Sequence, residues 1–211
     1  MPDASTVAVF MLAAGLLLIV PGPAVLYIVA RGIDQGRRAA LASMLGIEIA
    51  SLFHITAATL GLSALLVSSA TAFNVVRYAG AAYLIFLGVR TLLSRGDVRR
   101  STGTAPASLR RVFAQGVVVN LLNPKTALFF FAFLPQFVDP ARGSVAGQTL
   151  FLGGLFVALA VCSDGSYALL SGSLGGWLKG HLGFLRAQRY FAGSVYLALG
   201  VATALTGSRK K

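Results

Sequence analysis

Long apolar stretches alternate with short polar connectors along almost the whole of this 211-residue chain. A helix that crosses the hydrocarbon core of a bilayer needs about 20 predominantly apolar residues, and six stretches of the sequence reach that length. They cover residues 7–30, 40–68, 72–94, 112–138, 146–171 and 189–207. The pattern therefore predicts an all-α polytopic membrane protein with six transmembrane helices.

The extended polar segment at residues 95–111 divides the predicted spans into two groups of three. We interpret the chain as a single transmembrane domain in which repeat one covers residues 1–94, a cytoplasmic connector covers 95–111 and repeat two covers 112–211. Because each repeat has an odd number of spans, the two repeats insert in opposite orientations and form an inverted repeat. A short internal similarity between residues 77–88 and 189–200 agrees with this division.

Proline interrupts the first and fourth predicted spans at corresponding places. Pro21, Gly22 and Pro23 break the first span, and Asn123 and Pro124 break the fourth. Proline lacks a backbone donor, so the carbonyls at each break need partners inside the protein or in a water-filled cavity. Paired interruptions in the two halves of a chain point to a transporter's binding site. We therefore predict that these five residues border a substrate site; the alternative is two ordinary proline kinks.

Composition and charge narrow the class of protein. Hydrophobic residues make up 56% of the chain and charged residues 11%, whereas soluble domains have about 25% charged residues, so a soluble enzyme is excluded. The net charge of +12 does not indicate a nucleic-acid partner, because the basic residues lie between apolar runs. Connectors after the first, third and fifth spans, with the adjoining ends of the spans, carry 12 of the 18 Lys and Arg residues, which places them in the cytoplasm and both termini outside. The basic tail at residues 209–211 favours the alternative of five spans with the tail inside.

Charged side chains inside the membrane are costly and are functional candidates by default. Glu48, Lys125 and Asp164 are the three such residues that stand out. Lys125 directly follows the Asn123–Pro124 break, where an ammonium and the positive end of an interrupted helix could receive a substrate carboxylate. Asp164 shares a polar stripe with Tyr167, which is a further candidate for substrate binding. Asp164 and Glu48 are candidates to hold the substrate ammonium or to exchange a proton. The alternatives are a structural pair of Lys125 with Asp164, and a Lys125 that extends toward lipid headgroups.

Several of these motifs together resemble the LysE/RhtB family of amino-acid exporters. The most specific is the run at residues 120–130, with its asparagine–proline–lysine sequence, and the similarity extends over essentially the whole chain. The resemblance implies export of amino acids or their derivatives from the bacterial cytoplasm, driven by the membrane potential or a proton gradient. It also implies an acidic residue in the fifth span, which Asp164 supplies, whereas Glu48 stands where small or apolar residues are expected.

These observations predict a multi-pass secondary transporter of the bacterial inner membrane that exports an amino acid or amino-acid derivative by proton antiport. The sequence has no Walker-type phosphate-binding motif, so ATP is not the direct energy source, and no cofactor or metal is predicted. The expected partners are a small-molecule substrate and membrane lipid, with no nucleic acid and with homo-oligomerisation left open. The alternative function is a carrier for a different small solute or a metal ion on the same scaffold. An intramembrane enzyme is disfavoured because the sequence has only two histidines, His54 and His181, and they do not form a His-Glu-x-x-His zinc motif.

Overall fold

The computed structural model describes residues 1–68 and 107–178, together with isolated helical positions between residues 75 and 93 and between 190 and 204. Within the two continuous ranges the chain is helical and has no β-strand. The predicted spans 72–94 and 189–207, the similarity between them, and residues 95–106 of the predicted connector lie outside the continuously described residues.

The described chain forms a succession of helices joined by very short connections. These are α1 (Ala4–Ile19), α2 (Pro23–Gln35), α3 (Arg37–Ser68), α4 (Leu109–Leu121), α5 (Pro124–Leu128) and α6 (Val145–Leu178). A π-helical segment (Phe129–Phe133) and a 3-10 segment (Leu134–Phe137) continue α5, and a 3-10 turn (Pro140–Arg142) precedes α6. Short side chains begin three of the helices: Asp3 caps α1, Ser108 caps α4 and Asn123 caps α5. Helix α4 begins at Leu109, inside the predicted connector at residues 95–111.

Two helical stretches are long and apolar enough to cross a membrane, namely Arg37–Gly61 with a mean hydropathy of 1.5 and Val145–Ser171 with a mean hydropathy of 2.0. Two bent pairs reach the same standard when each is taken as one span: Ala4–Ile19 with Pro23–Gln35, and Leu109–Leu121 with Pro124–Phe137. Each pair is bent by 47°. The described residues thus hold two to four candidate membrane spans, and the bends fall at the two proline-containing interruptions.

Helix α3 lies at the centre of the described bundle and packs against α2, α4 and α6, and α6 also packs against α1. Two apolar clusters result from these contacts. The larger contains buried side chains of α1, of the segment after α5 and of α6, including Phe10, Phe129, Phe130, Phe133 and Phe156. The smaller lies around α2 and includes Ala24, Ile28, Met44 and Ala168. The site described below lies between the two clusters.

Glycine allows α3 and α4 to pack backbone against backbone. A Cβ atom added to Gly116 would lie 2.6 Å from the carbonyl oxygen of Ser43 and 3.5 Å from the Cα atom of Gly46. Because the obstructing atoms are backbone atoms, they cannot move aside by changing a rotamer. This contact fixes the rotation of α4 against α3, and with it the faces that meet in the site.

We expect Gly116→Ala to destabilise the protein by about 1–3 kcal/mol, the usual cost of overpacking a tight interface. The measurement is thermal unfolding of the purified protein in detergent. Gly15→Ala is the matched control, because a Cβ atom there meets nothing within 4 Å. Equal unfolding temperatures for the two variants would contradict the close approach of α3 and α4.

A polar cluster ties the start of α1 to the turn before α6. Arg142 pairs with Asp3 at 2.5 Å and with Asp139 at 3.4 Å, and the amino terminus donates to the carbonyl of Arg142 at 2.8 Å. The hydrogen bonds that Asp3 accepts from Thr6, chiefly from its backbone N–H, hold the pKa of the Asp3 carboxyl well below its usual range. Asp3 is therefore ionised at neutral pH and available to Arg142.

Candidate functional site

A cavity lies where the two helix breaks meet α3 and α6. The cavity is small, with about 30 Å³ of space for the centres of water molecules. It brings together five of the residues predicted from the sequence: Gly22 at the first break, Asn123 and Lys125 at the second, Glu48 on α3 and Asp164 on α6. Side chains more than 100 residues apart in the chain therefore share one small polar space inside an otherwise apolar bundle.

The remaining predicted residues have other positions. Pro21, Pro23 and Pro124 shape the breaks and are not among the residues that line the described cavity. Tyr167 lines a neighbouring groove between α1 and α6 together with Cys162, Ser163 and Ser166. Its hydroxyl donates to the carbonyl of Ile19 at 2.8 Å, so it contacts the broken helix itself.

Glu48 and Asp164 are the acidic side chains of the cavity, and both are deeply buried. Their exposed fractions are 7% and 4%, and each carboxyl group is close enough to the other to influence its charge. Both oxygens of Glu48 and the Oδ1 atom of Asp164 have no hydrogen-bond partner among the described residues. Buried carboxylate oxygens without a donor are unfavourable. Binding of a proton or another cation at Glu48 and Asp164 would therefore stabilise this end of the cavity.

Lys125 supplies the positive charge of the cavity, and its side chain is bound at the first break. Its side chain is 7% exposed, and its ammonium donates to the carbonyl of Val20 at 2.5 Å. In a continuous helix that carbonyl would accept from the N–H of residue 24, but α1 ends at Ile19 and α2 begins at Pro23. The ammonium also attracts the carboxyl group of Asp164. Lys125 therefore links the two breaks and faces one of the two acids.

A hydrogen-bonded network around Asn120 supports the second break. The Asn120 amide nitrogen donates to the carbonyl of Ile47 at 2.8 Å and to the hydroxyl of Ser51 at 3.0 Å. Its side-chain oxygen accepts from Thr126 at 2.8 Å and from Asn123 at 3.3 Å. The network fixes Asn123 beside the cavity, where its side-chain oxygen also caps α5 by accepting from the N–H of Lys125 at 3.1 Å.

Asn120, Ser51 and Thr126 also line the cavity and are not among the residues predicted from the sequence. One signal was available. Asn120 lies four residues before Pro124, which is the position whose carbonyl loses its helical partner to proline. His54 meets that carbonyl: its Nε2 atom lies 3.0 Å from the Asn120 oxygen. Because a carbonyl only accepts, the ring nitrogen donates, and Nε2 carries the proton.

The charges of the cavity do not balance when all three groups are ionised. Glu48 and Asp164 contribute two negative charges and Lys125 one positive charge, so one further cation completes the set. That cation is either a proton on one carboxyl group or an ammonium group of a ligand. A proton and a ligand ammonium that neutralise the same buried acids cannot bind at the same time. Exchange transport requires this mutual exclusion.

Comparison with known proteins adds an independent observation. Residues 15–207 match the family model described as LysE type translocator. A homoserine/homoserine lactone efflux protein of Salmonella typhimurium is 32% identical over 195 residues, which cover 92% of this chain and 94% of that protein. A leucine efflux protein of Klebsiella pneumoniae is 29% identical over 167 residues, or 78% of this chain and 77% of that protein. A membrane protein of Vibrio cholerae, described as uncharacterized, is 30% identical over 195 residues. No solved structure matches the chain.

Proposed function

Because the chain belongs to the LysE type translocator family, we propose that it exports an amino acid or an amino-acid derivative from the bacterial cytoplasm. It is a membrane protein and a translocator, not an enzyme. The names of its relatives, which are efflux proteins for homoserine, homoserine lactone and leucine, support this class of substrate. The chain and the first of these relatives match over nearly their whole lengths.

The observation that carries the proposal is the set of unpartnered carboxyl oxygens on Glu48 and Asp164 in a cavity that also holds Lys125. An α-amino acid needs a negative partner for its ammonium and a positive one for its carboxylate once water is removed. Glu48 and Asp164 supply the first. Lys125 and the first turn of α2, which borders the cavity at Ala24 and Val25, supply the second, because the first N–H groups of a helix lack acceptors within it.

Proton antiport is the coupling that this arrangement supports best. A proton and a substrate ammonium both satisfy the pair formed by Glu48 and Asp164, so release of one allows binding of the other. Inward movement of a proton on the empty carrier then alternates with outward movement of substrate on the loaded one. Asp164 is the stronger candidate for the exchanging group because it faces both Glu48 and Lys125.

The proposed topology is a multi-pass arrangement of six spans in the bacterial inner membrane, with two inverted repeats of three. The two bent pairs in the described residues support it, because each combines the helices on either side of one break into a span. The excess of basic residues in alternate connectors supports a cytoplasmic segment 95–111 and external termini. Basic residues there need no partner beyond lipid headgroups.

A metal-ion carrier is less well supported by the same cavity. The ammonium of Lys125 beside Asp164 repels a divalent cation, and the described residues contain no group of three or more His, Cys, Asp or Glu side chains placed to hold one. The two acids with one lysine suit a singly charged organic ammonium better.

Expression of the protein in bacteria loaded with dipeptides is expected to raise the extracellular concentration of at least one released amino acid. The physical reason is that intracellular hydrolysis raises the substrate concentration on the side from which the carrier exports. External amino acids are measured over time against cells that carry an empty vector. Unchanged efflux of every amino acid and derivative tested, with the protein present in the membrane, would contradict the proposed function.

A further inference from the structure

Each described helix break leaves a backbone carbonyl without its helical donor, and a side chain from another helix replaces that donor. In an α-helix the carbonyl of residue i accepts from the N–H of residue i+4. Pro23 removes the donor for Ile19 and Pro124 removes the donor for Asn120. An unpaired carbonyl at membrane depth is strongly unfavourable, so a replacement donor at these points affects the shape of the break.

At the first break the replacement donor is Tyr167 of α6. Its hydroxyl lies 2.8 Å from the carbonyl oxygen of Ile19, which is a normal hydrogen-bond distance. Ser163, one turn earlier on the same helix, approaches the carbonyl of Leu18 at a longer 3.5 Å. Tyr167 lines the groove between α1 and α6 and is not among the residues that line the cavity, so its hydroxyl acts on the backbone of the break.

At the second break the replacement donor is His54 of α3. Its Nε2 atom lies 3.0 Å from the carbonyl oxygen of Asn120, which also accepts from the N–H of Asn123 at 3.1 Å. The imidazole is stacked on Phe130 with ring centroids 6.0 Å apart and planes 4° apart. Phe130 belongs to the π-helical segment that follows α5, so His54 holds both the end of α4 and the helix after the break.

We propose that Tyr167 and His54 are paired positioning residues: at each of the two breaks, one of them donates a hydrogen bond to the carbonyl whose helical donor is removed by proline. They hold the break residues Gly22 and Asn123 at the cavity, and they act through the backbone of Ile19 and Asn120 without contacting substrate. The inference deepens the proposed function, because its consequence for transport rests on that function. The pairing itself is a property of the fold.

The decisive experiment is a double-mutant cycle between the donor and the proline. Pro23→Ala restores the N–H that donates to Ile19 once the helix continues through residues 20–22, so the Tyr167 hydroxyl is then no longer needed there. We expect Tyr167→Phe alone to lower the unfolding temperature in detergent and to slow efflux by about 3–10-fold, the effect of one neutral hydrogen bond. Added to Pro23→Ala, the same substitution is expected to change either quantity little. Strictly additive losses would overturn the proposal, because a hydroxyl that contacts substrate, or merely packs, has no reason to couple to Pro23.

Tyr27→Phe is the matched control. Its hydroxyl also donates to a backbone carbonyl, that of Val112 at 3.0 Å, but residue 116 is a glycine with an ordinary N–H for that carbonyl. Its effect should therefore add to that of Pro23→Ala. At the second break, His54→Gln keeps an N–H donor and should retain efflux to within about twofold, whereas His54→Leu should lose about 3–10-fold. Equal losses for the Gln and Leu variants would overturn the role of His54.

Two further readouts keep the outcomes distinct. The half-saturating substrate concentration should stay within about twofold in Tyr167→Phe, because a lost hydrogen bond to backbone does not remove a substrate contact; a selective rise in this concentration would contradict the positioning role. If Tyr167→Phe fails to accumulate in the membrane, recovery of its level by Pro23→Ala supports the proposal, and no recovery overturns it. The double-mutant cycle measured by unfolding temperature tests the coupling of Tyr167 to Pro23 even if no amino acid is exported. Failure of this proposal can therefore be distinguished from failure of the proposed function.

Discussion

Asp164→Asn is expected to abolish exchange while the protein still folds and reaches the membrane. The amide has nearly the same shape as the carboxyl group, but it can neither exchange a proton nor neutralise a substrate ammonium. We expect at least a hundredfold loss of rate at equal membrane level, which corresponds to about 3 kcal/mol of lost stabilisation of the transport step. The measurement is efflux from loaded cells, normalised to the amount of protein in the membrane.

Asp139→Asn is the matched control for this prediction. Asp139 is a carboxylate of the same chain that lies on the turn before α6, where it pairs with Arg142 and its side chain is 39% exposed. Its loss should leave efflux within about twofold, since surface substitutions usually change stability by less than 0.5 kcal/mol. Full activity of Asp164→Asn would show that Asp164 is not a site residue. Equal loss of efflux in Asp164→Asn and Asp139→Asn would show that the effect does not depend on the position of Asp164 in the cavity.

Lys125→Met should have the second large effect, on stability as well as transport. The substitution leaves Glu48 and Asp164 without a compensating charge and removes the donor that reaches the carbonyl of Val20. Breaking a buried charge pair from one side costs about 3–5 kcal/mol. We therefore expect a lower unfolding temperature in detergent together with loss of efflux.

The double variant Lys125→Met/Asp164→Asn tests the cause of that instability. With both charges gone, one uncompensated carboxylate, that of Glu48, remains in place of two, so the double variant should be more stable than Lys125→Met alone, although inactive. Arg38→Met serves as the control for loss of a basic residue, because Arg38 is exposed at the start of α3. A double variant no more stable than Lys125→Met would show that Asp164 does not depend on Lys125 for its charge balance.

The positions of the helix breaks could be predicted from the sequence because they follow from covalent chemistry. Proline has no N–H whatever surrounds it, so Pro23 and Pro124 interrupt the hydrogen-bond ladder in any fold. The candidate charges were identified for a similar reason: Glu48, Lys125 and Asp164 lie in apolar runs, where a charge needs a partner. Both arguments use only local sequence.

The sequence predicts that both breaks border one substrate site, but it does not show which side chains reach the cavity, because that depends on how the helices are rotated. The backbone contact of Gly116 with Ser43 sets the rotation of α4 against α3, and no pattern within either segment reports it. Asp164 and Tyr167 illustrate the same point. They lie three residues apart on one stripe, yet Asp164 enters the cavity and the longer Tyr167 reaches a carbonyl of α1.

Purified protein in liposomes tests the central claim, that substrate and proton exchange at the pair formed by Glu48 and Asp164. Vesicles with an acidic interior are placed in labelled amino acid at neutral pH, and the internal concentration of label is followed. We expect transient accumulation above the external concentration, abolished by a protonophore and absent in Asp164→Asn. Entry of the amino acid to the same level with and without the pH gradient would contradict it.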